Sequence, residues 1–560
     1  MAGNKKTLVS RLEELRAQTE NDRDSNWKEH WRELAEYILP RHERFLETDA
    51  SHGTAGKKKH DKIIDGTATW AVRTLASGMM SGLTSPSRPW FRLGLPDPDL
   101  AEFAPVRSWL GTVEQRMRDT FSRSNIYNIL PSGYEDLGCF GVTALGLFEH
   151  PTDIMRGFHF PIGAYSMSSD QDNRVDTMIR VFMMSARQMA RKFDWDSLTP
   201  GVQSSIEKGQ GEVMVKIVHA VTRNEFYLEN GFSSKPFMSV YYELAKNQGR
   251  HLRIGGFHEF PIMAPRWSVT GEDVYGNSPC MDVLGDVKAL QLYQKRSAQA
   301  IDKMVNPPLN APGSMRNKKV SQLPGDVNYQ DIATDRGGLR PVYELNFDVG
   351  AVELKIQQHQ SRINRATFVD LFLALLNTDR REITAREVEE KREEKLLMLG
   401  PVLERLNDEL LDPLIDRTYE IMRRRDLIPP PPEEIEGQDL KIEYVSILAQ
   451  AQKLVGLASQ ERLLGFVANM MALNPEAGDK VDWDQNVDVY SNVLGTAPEL
   501  ILDDEAVADI REERAASIAK EQAMLQGQQA AETAHTLSKA DISSQNALTA
   551  LTGGPVPGAE

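Results

Sequence analysis

The chain has 560 residues, 26% charged and 41% hydrophobic, with a formal net charge of −16 at pH 7. That length holds several structural regions with their own apolar cores, and this composition excludes a globally disordered chain. Two cysteines, Cys139 and Cys280, are too few for a disulfide framework and have no metal-site spacing, and neither a signal-peptide core nor a bilayer-length apolar run is present, so a soluble, cytosol-made protein is expected.

Leu8, Leu12 and Leu15, then Trp27, Trp31, Leu34 and Ile38, recur at helical spacing and predict helix within 7–48. The basic loop SHGTAGKKKH (51–60) resembles a phosphate-binding loop only superficially. Its glycine spacing is wrong and no Ser or Thr follows the lysine. Ile63, Ile64, Ala68, Ala71, Val72, Leu75, Met79 and Leu83 predict a helix over Lys62–Leu83, with Gly78 and Gly82 placed to admit another backbone. Pro86 and Pro89 stop it, and Trp90-Phe91 open an extended segment. Helix is expected again over Val106–Ser122, and Asn128–Phe148 reads as a glycine-containing helix that turns into extended chain.

From about 157 to 267 the apolar period becomes two. Val175, Thr177, Ile179, Val181 and Met183 alternate with other residues, as do Val213, Val215 and Ile217, and Phe237–Glu243 follows suit. A mostly antiparallel β region is expected, with a short helix near Ala186–Phe193 capped by Ser185.

A loop rich in turn residues (Thr270, Gly271, Gly276, Asn277, Pro279) then feeds a long, weakly amphipathic helix that stops at Asn306-Pro307-Pro308. Its apolar positions (Val283, Leu284, Val287, Leu290, Ile301, Met304, Val305) sit at the two ends, and Gln291–Gln299 is mostly polar, small or basic. Some two dozen residues extend about 36 Å, more than a compact domain needs, which suggests packing against copies of itself or several elements. A Gly-, Pro- and Asn-rich segment to about Val349 carries the basic cluster Arg316, Lys318 and Lys319, and a second helix runs from about Gly350 to Leu376. The two helices make a hairpin-like projection with the small segment at its tip.

Thr384 and Glu387 form a capping box, with Ile383 and Val388 as hydrophobic staple, opening a helix to Asp426 that Gly400-Pro401 should kink. Arg423, Arg424 and Arg425 fall in its last turn, either as a DNA or partner contact or as cations complementing the helix dipole. The remainder reads as helices to about Ser538, and the tail GGPVPGAE as disordered.

Residues 426–560 hold 23 acidic and 8 basic side chains, so they carry nearly all the excess charge. Such a segment repels polyanions, and a conventional sequence-reading DNA-binding protein is disfavoured. No HExxH, paired CxxC, Walker A or dinucleotide motif occurs. The one acidic set that could hold Mg²⁺ is Asp482, Asp484, Asp488, Asp503 and Asp504, and helix capping is its ordinary explanation.

Four stretches together give the chain a recognisable order of parts: LASGMMSGLTSPSRPWFRL (75–93), GEDVYGNSP (271–279) with its helix and KMVNPP stop, TAREVEEKREEKLLMLGPVLERL (384–406) and YVSILAQAQ (444–452). In that combination the chain resembles the portal, or head-to-tail connector, proteins of short-tailed, T7-like (podovirus) bacteriophages. The resemblance implies a mixed α+β, predominantly α-helical subunit with wing, stem, clip and crown regions, assembling as a ring of usually twelve copies. It implies wing over 1–281, stem helices over 282–305 and 350–372, and clip over 306–349. A tunnel loop at 373–383, a kinked wing helix at 384–426, a helical crown at 427–538 and a loose tail at 539–560 would complete it.

The implied function is a channel at one capsid vertex, through which double-stranded DNA is packaged and ejected. The implied partners are the major capsid and scaffolding proteins, the large terminase, tail adaptors and internal core or ejection proteins. The setting is the virion, after assembly in the host cytoplasm, and no membrane, cofactor, metal or catalytic residue is called for. Lys295, Arg296 and Lys303 on the first long helix and Arg380 and Arg381 in the loop are candidates for weak DNA contact, or for pairing with Asp286, Asp302 or Asp370 of a neighbouring copy. Arg316, Lys318 and Lys319 are candidates for the tail or terminase interface. A metal-dependent nuclease and a non-conducting scaffold ring are the alternative readings.

Overall fold

The computed structural model describes residues 7–46, 61–97, 100, 103–224, 235–244, 251–310, 316, 340–341, 348–376, 398–435, 437–438, 440–446, 448, 463–472, 474–494 and 504–538. At the start of the chain Thr7 caps helix Leu8–Asn26 by accepting from the Ser10 N–H at 3.3 Å. Trp27 interrupts the predicted helix, which resumes over Lys28–Tyr37. The reason is packing: Trp27 and Trp31 both lie against the buried Tyr275 ring, at 5.9 and 5.1 Å.

The β region contains two antiparallel sheets. The larger is ordered β4 (Tyr165–Ser169), β5 (Val175–Ser185), β6 (Met214–Arg223), β7 (Phe237–Glu243), β8 (Arg253–Phe257). Alternation along the strands gives it two apolar faces. Val218, Ala220, Val240 and Tyr242 pack with Val9 and Leu12 of the N-terminal helix, and Ile217 packs with Met189, Phe193, Leu198 and Val202 on the other side. The short helix over Ala186–Lys192 starts as expected at Ser185, which forms a full capping box with Gln188. A further helix, Pro200–Glu207, had no clear signal in the sequence.

The smaller sheet is ordered β3 (Ile154–Phe160), β2 (Ala144–His150), β9 (Ile262–Met263). β2 begins inside the stretch read as mostly helical because Gly141, at φ 81°, ends helix Ile126–Phe140 in a left-handed cap. A Cβ on Gly141 would stand 2.2 Å from the Gly276 carbonyl oxygen, so this crossing of two loops requires glycine.

The largest core joins helices Thr67–Leu83, Ala104–Arg123, Ile126–Phe140 and residues 398–424 through Leu75, Met79, Phe121, Tyr134, Leu406 and Leu414, among others. Gly78 and Gly82 do admit close neighbours, but these are the side chains of Phe372 and Leu448, not another backbone. The helix through 398–406 passes Gly400-Pro401 unbroken, and the irregularity falls later, in a π-turn at Asn407–Leu411 before Asp412–Arg424. The capping box at Thr384 and Glu387 lies outside the described residues. Arg424 bridges to Glu259 and Glu149, at 2.6 and 3.1 Å, while Arg423 pairs with Glu420 at 2.7 Å. Arg424 therefore ties this helix to β2 and to Glu259, while the Arg423 pair stays within the helix.

β1 (Phe91–Gly94) pairs antiparallel with β12 (Lys441–Tyr444), so residues 441–444 are extended and belong to the main unit, where the sequence predicts helix. Two compact units divide at Phe466 and Val467. The second contains helices Trp483–Leu494 and Asp504–Ser538, joined by Arg511 and Asp484 at 2.6 Å.

Candidate functional site

The long helix occupies Leu284–Val305, preceded by a separate turn at Pro279–Asp282 in which Ser278 accepts from the Met281 N–H. Its 22 residues extend roughly 33 Å. The return helix, Val349–Ala366, is capped by Asp348, whose carboxylate accepts from the Ala351 N–H at 3.0 Å. The expected single return helix is broken at Thr367-Phe368. Phe368 takes a φ of 57° to pack its ring beside Trp267, and a new helix follows over Val369–Leu376.

The two helices run antiparallel and are fastened near their base. Asp286 accepts from His359 Nδ1 at 2.7 Å and from Arg362 at 3.3 Å, and Tyr293 stacks on His359 at 5.4 Å. Leu284, Val287 and Leu290 are buried with Ile356 and Ile363. Between residues 61 and 66 a short segment ties the pair to the body. Gln291, buried, accepts from the Ile64 and Asp65 N–H groups at 2.7 and 2.8 Å and donates to the Asp65 carbonyl at 2.8 Å. The Asp65 carboxylate accepts from the Thr67 N–H at 2.8 Å, Gln360 at 2.9 Å and Gln294 at 3.2 Å. Burial acts to raise the Asp65 pKa, but these hydrogen bonds outweigh it and hold the carboxyl below its ordinary value.

The far end is different. Ile301 to Asn306 are all exposed, among them the apolar Ile301, Met304 and Val305, at 42%, 43% and 71% of full exposure. Beyond them β10 (Leu309–Asn310) pairs with β11 (Arg340–Pro341), bringing the two ends of the intervening segment together. This is a hairpin with a polar seam at its base and an apolar collar that no described residue covers.

A family described as bacteriophage head to tail connecting protein matches residues 6–502. The chain belongs to that family. It is 46% identical over 548 residues to the portal protein of Salmonella phage epsilon15, covering 97% of this chain and 98% of that protein. It is 41% identical over 552 residues to the probable portal protein of Bordetella phage BPP-1, covering 98% of each. The protein is thus a phage head-to-tail connector.

On the connector's long helix the cations differ in setting. At 100° per residue Arg296 and Lys303 point roughly 160° away from the buried direction, and Lys295 only about 70° away. All three are exposed, with no ion pair to a described residue. Asp286, one acid suggested as their partner across copies, is already occupied by His359 and Arg362. Arg316 is exposed, whereas Lys318, Lys319, Arg380 and Arg381 lie outside the described residues.

In the acidic set, Asp484 is paired with Arg511 and Asp482 accepts from the Gln485 N–H at 3.1 Å, an ordinary helix cap. Among the described residues no group of three metal-ligating side chains converges, and none of the described helices is long and apolar enough to cross a membrane. Gln291, read as part of a polar middle, and Asp65, not singled out, are the residues that sequence reasoning missed. Their partners lie more than two hundred positions away in the chain, so no local spacing could mark them.

Proposed function

We propose that copies of this chain form a ring of twelve at one capsid vertex, a channel for double-stranded DNA during packaging and ejection. The observation that carries this reading is the similarity, over 97–98% of this chain, to the portal protein of one phage and the probable portal protein of another. The exposed apolar collar at Ile301, Met304 and Val305 supports it, because exposed clusters of large apolar side chains mark interaction surfaces. In a ring, neighbouring copies cover that collar.

On this reading Leu284–Val305 and Val349–Ala366 are the stem, residues 306–348 the clip, 373–383 the tunnel loop, and the second unit's helices the crown. The β sheets and N-terminal helices form the wing. Arg316, Lys318 and Lys319 would meet the large terminase and then the tail adaptors, while capsid, scaffolding and internal core or ejection proteins meet other faces. The subunit does no chemistry of its own: it guides DNA without gripping it, as the near-neutral body and acidic C-terminal region suit. Assembly takes place in the host cytoplasm.

Electron micrographs of the purified protein are expected to show rings with an open centre, and monomers or solid particles at every concentration would refute the proposal. Neutralising Arg380 and Arg381 together is expected to lower DNA retention at least several-fold while rings still form. Unchanged retention and titre would remove the DNA contact from this account.

A further inference from the structure

One row of the larger sheet crosses four strands. Arg180 of β5 is paired with His219 of β6, His219 with Tyr241 of β7, and Tyr241 with Arg253 of β8. Residues directly opposite in antiparallel strands share a face, so these four side chains stand on one side of the sheet. At about 4.8 Å between strands, the two arginines start roughly 14 Å apart.

His219 is fully buried and lies flat on Tyr241, with ring centres 3.9 Å apart and planes 5° apart. Arg180 Nε donates to its Nδ1 at 3.3 Å, so Nε2 carries the hydrogen and faces Ser239 Oγ at 2.9 Å. That imidazole is neutral: burial, then the charges of Arg180 and Lys192, push its pKa well below the ordinary value. The Arg180 guanidinium is fixed over the rings of Phe160 and Phe182, at 4.7 and 4.5 Å. Lys192, at the end of the short helix, holds its ammonium 4.5 Å over Tyr241.

Three cations therefore occupy one small aromatic platform. No carboxylate of a described residue comes within ion-pair distance of Arg180, Lys192 or Arg253. The acid nearest along the same face, Glu243, is taken by the Thr199 hydroxyl at 2.8 and 3.0 Å. In a chain of net charge −16, three neighbouring cations with no acid against them among the described residues suit an anion from outside.

We propose that this row is a docking surface for an acidic polypeptide segment, whose carboxylates bind between Arg180, Lys192 and Arg253. The platform favours polypeptide over nucleic acid for two reasons. The rings of Phe182 and Tyr241 are already covered by the chain's own cations and His219, which leaves no free ring for a base to stack on. A patch of three cations also neutralises too few phosphates to hold a strand. A guanidinium held in a fixed orientation, by contrast, suits a carboxylate fork.

The test uses the full chain at low salt, where such contacts are strongest. Labelled deca-glutamate and a single-stranded decanucleotide are titrated against the parent protein and the double variant Lys192→Gln/Arg253→Gln, both positions being exposed. The peptide is expected to bind the parent, and the variant to lose at least tenfold in affinity while electron micrographs match those of the parent. Equal affinity in both proteins overturns the proposal, as does oligonucleotide binding that is stronger than peptide binding and lost in the variant. A second readout is the Lys192 amine. Desolvation against the rings, then Arg180 and Arg253, holds its pKa at about 8, and bound carboxylates are expected to move it up toward the ordinary 10.5. An unmoved titration in the presence of saturating peptide also overturns it.

Discussion

Arg266 shows how much one side chain can hold. It is 3% exposed, and its guanidinium meets Glu409 at 2.6 Å, the Asn173 side chain and carbonyl at 3.0 and 2.8 Å, and the Asp273 carbonyl at 3.3 Å. Its backbone N–H also donates to Glu409 at 2.8 Å. A β-turn, the loop leading to the long helix and the π-turn of another helix thus share one cation. Arg266→Ala leaves Glu409 partly buried without this partner and is expected to destabilise the subunit by about 3–5 kcal/mol, measured by urea unfolding. Adding Glu409→Ala should cost less than the sum of the two single changes.

Asp416 offers a pH signature. Burial, then Asp412 and Glu420, raises its pKa from 3.8 to about 6. A carboxyl whose folded pKa is raised binds its proton more tightly when folded, so its contribution to stability is lost as pH rises from about 4 to 6. Asp416→Asn is therefore expected to be close to neutral at pH 4 and stabilising at pH 7. Because the residue is partly solvated the gain should stay under about 1 kcal/mol. Thermal melts at the two pH values check the sign.

Among elements, those with strong local signals were legible in the sequence. Phe237–Glu243 alternates and is a strand over those same residues, and Ser185 with Gln188 opens its helix as a capping box. Asn306-Pro307-Pro308 ends the long helix where read. What the sequence hid depends on distant contacts. Nothing near Phe368 marks a left-handed residue, because the break is set by Trp267 a hundred positions away. Nothing near Lys441 marks a strand, because its partner is Phe91–Gly94.

The polar stretch of the long helix that holds Lys295 and Arg296 could be read from the sequence alone. The buried seam of Gln291 and Asp65 could not. Gly141 tests an element boundary: Gly141→Ala combines a φ of 81° with a backbone clash, and is expected to cost at least about 3 kcal/mol or to prevent soluble expression. Soluble expression with an unchanged melt would contradict the described crossing of the two loops.

For the molecule as a whole, the apolar collar is the feature that a lone subunit leaves unexplained. Changing Ile301, Met304 and Val305 together to serine removes exposed apolar surface only. The fold of the single chain is expected to be unaffected, with an unchanged circular dichroism spectrum. Sedimentation is expected to show a shift from rings toward smaller species. A variant that sediments as the parent does would place the self-association surface elsewhere.

The two-residue ladder of β10 and β11 has a consequence of a different kind. Leu309 opposes Pro341 and Asn310 opposes Arg340, so the chain leaves and rejoins the hairpin at one point. Those two pairs act as a clamp, and the entropic cost of closing a loop grows only slowly with its length. The ladder therefore fixes where the hairpin's two legs come together. Asp286, His359 and Gln291 meanwhile keep the legs of the hairpin where they are.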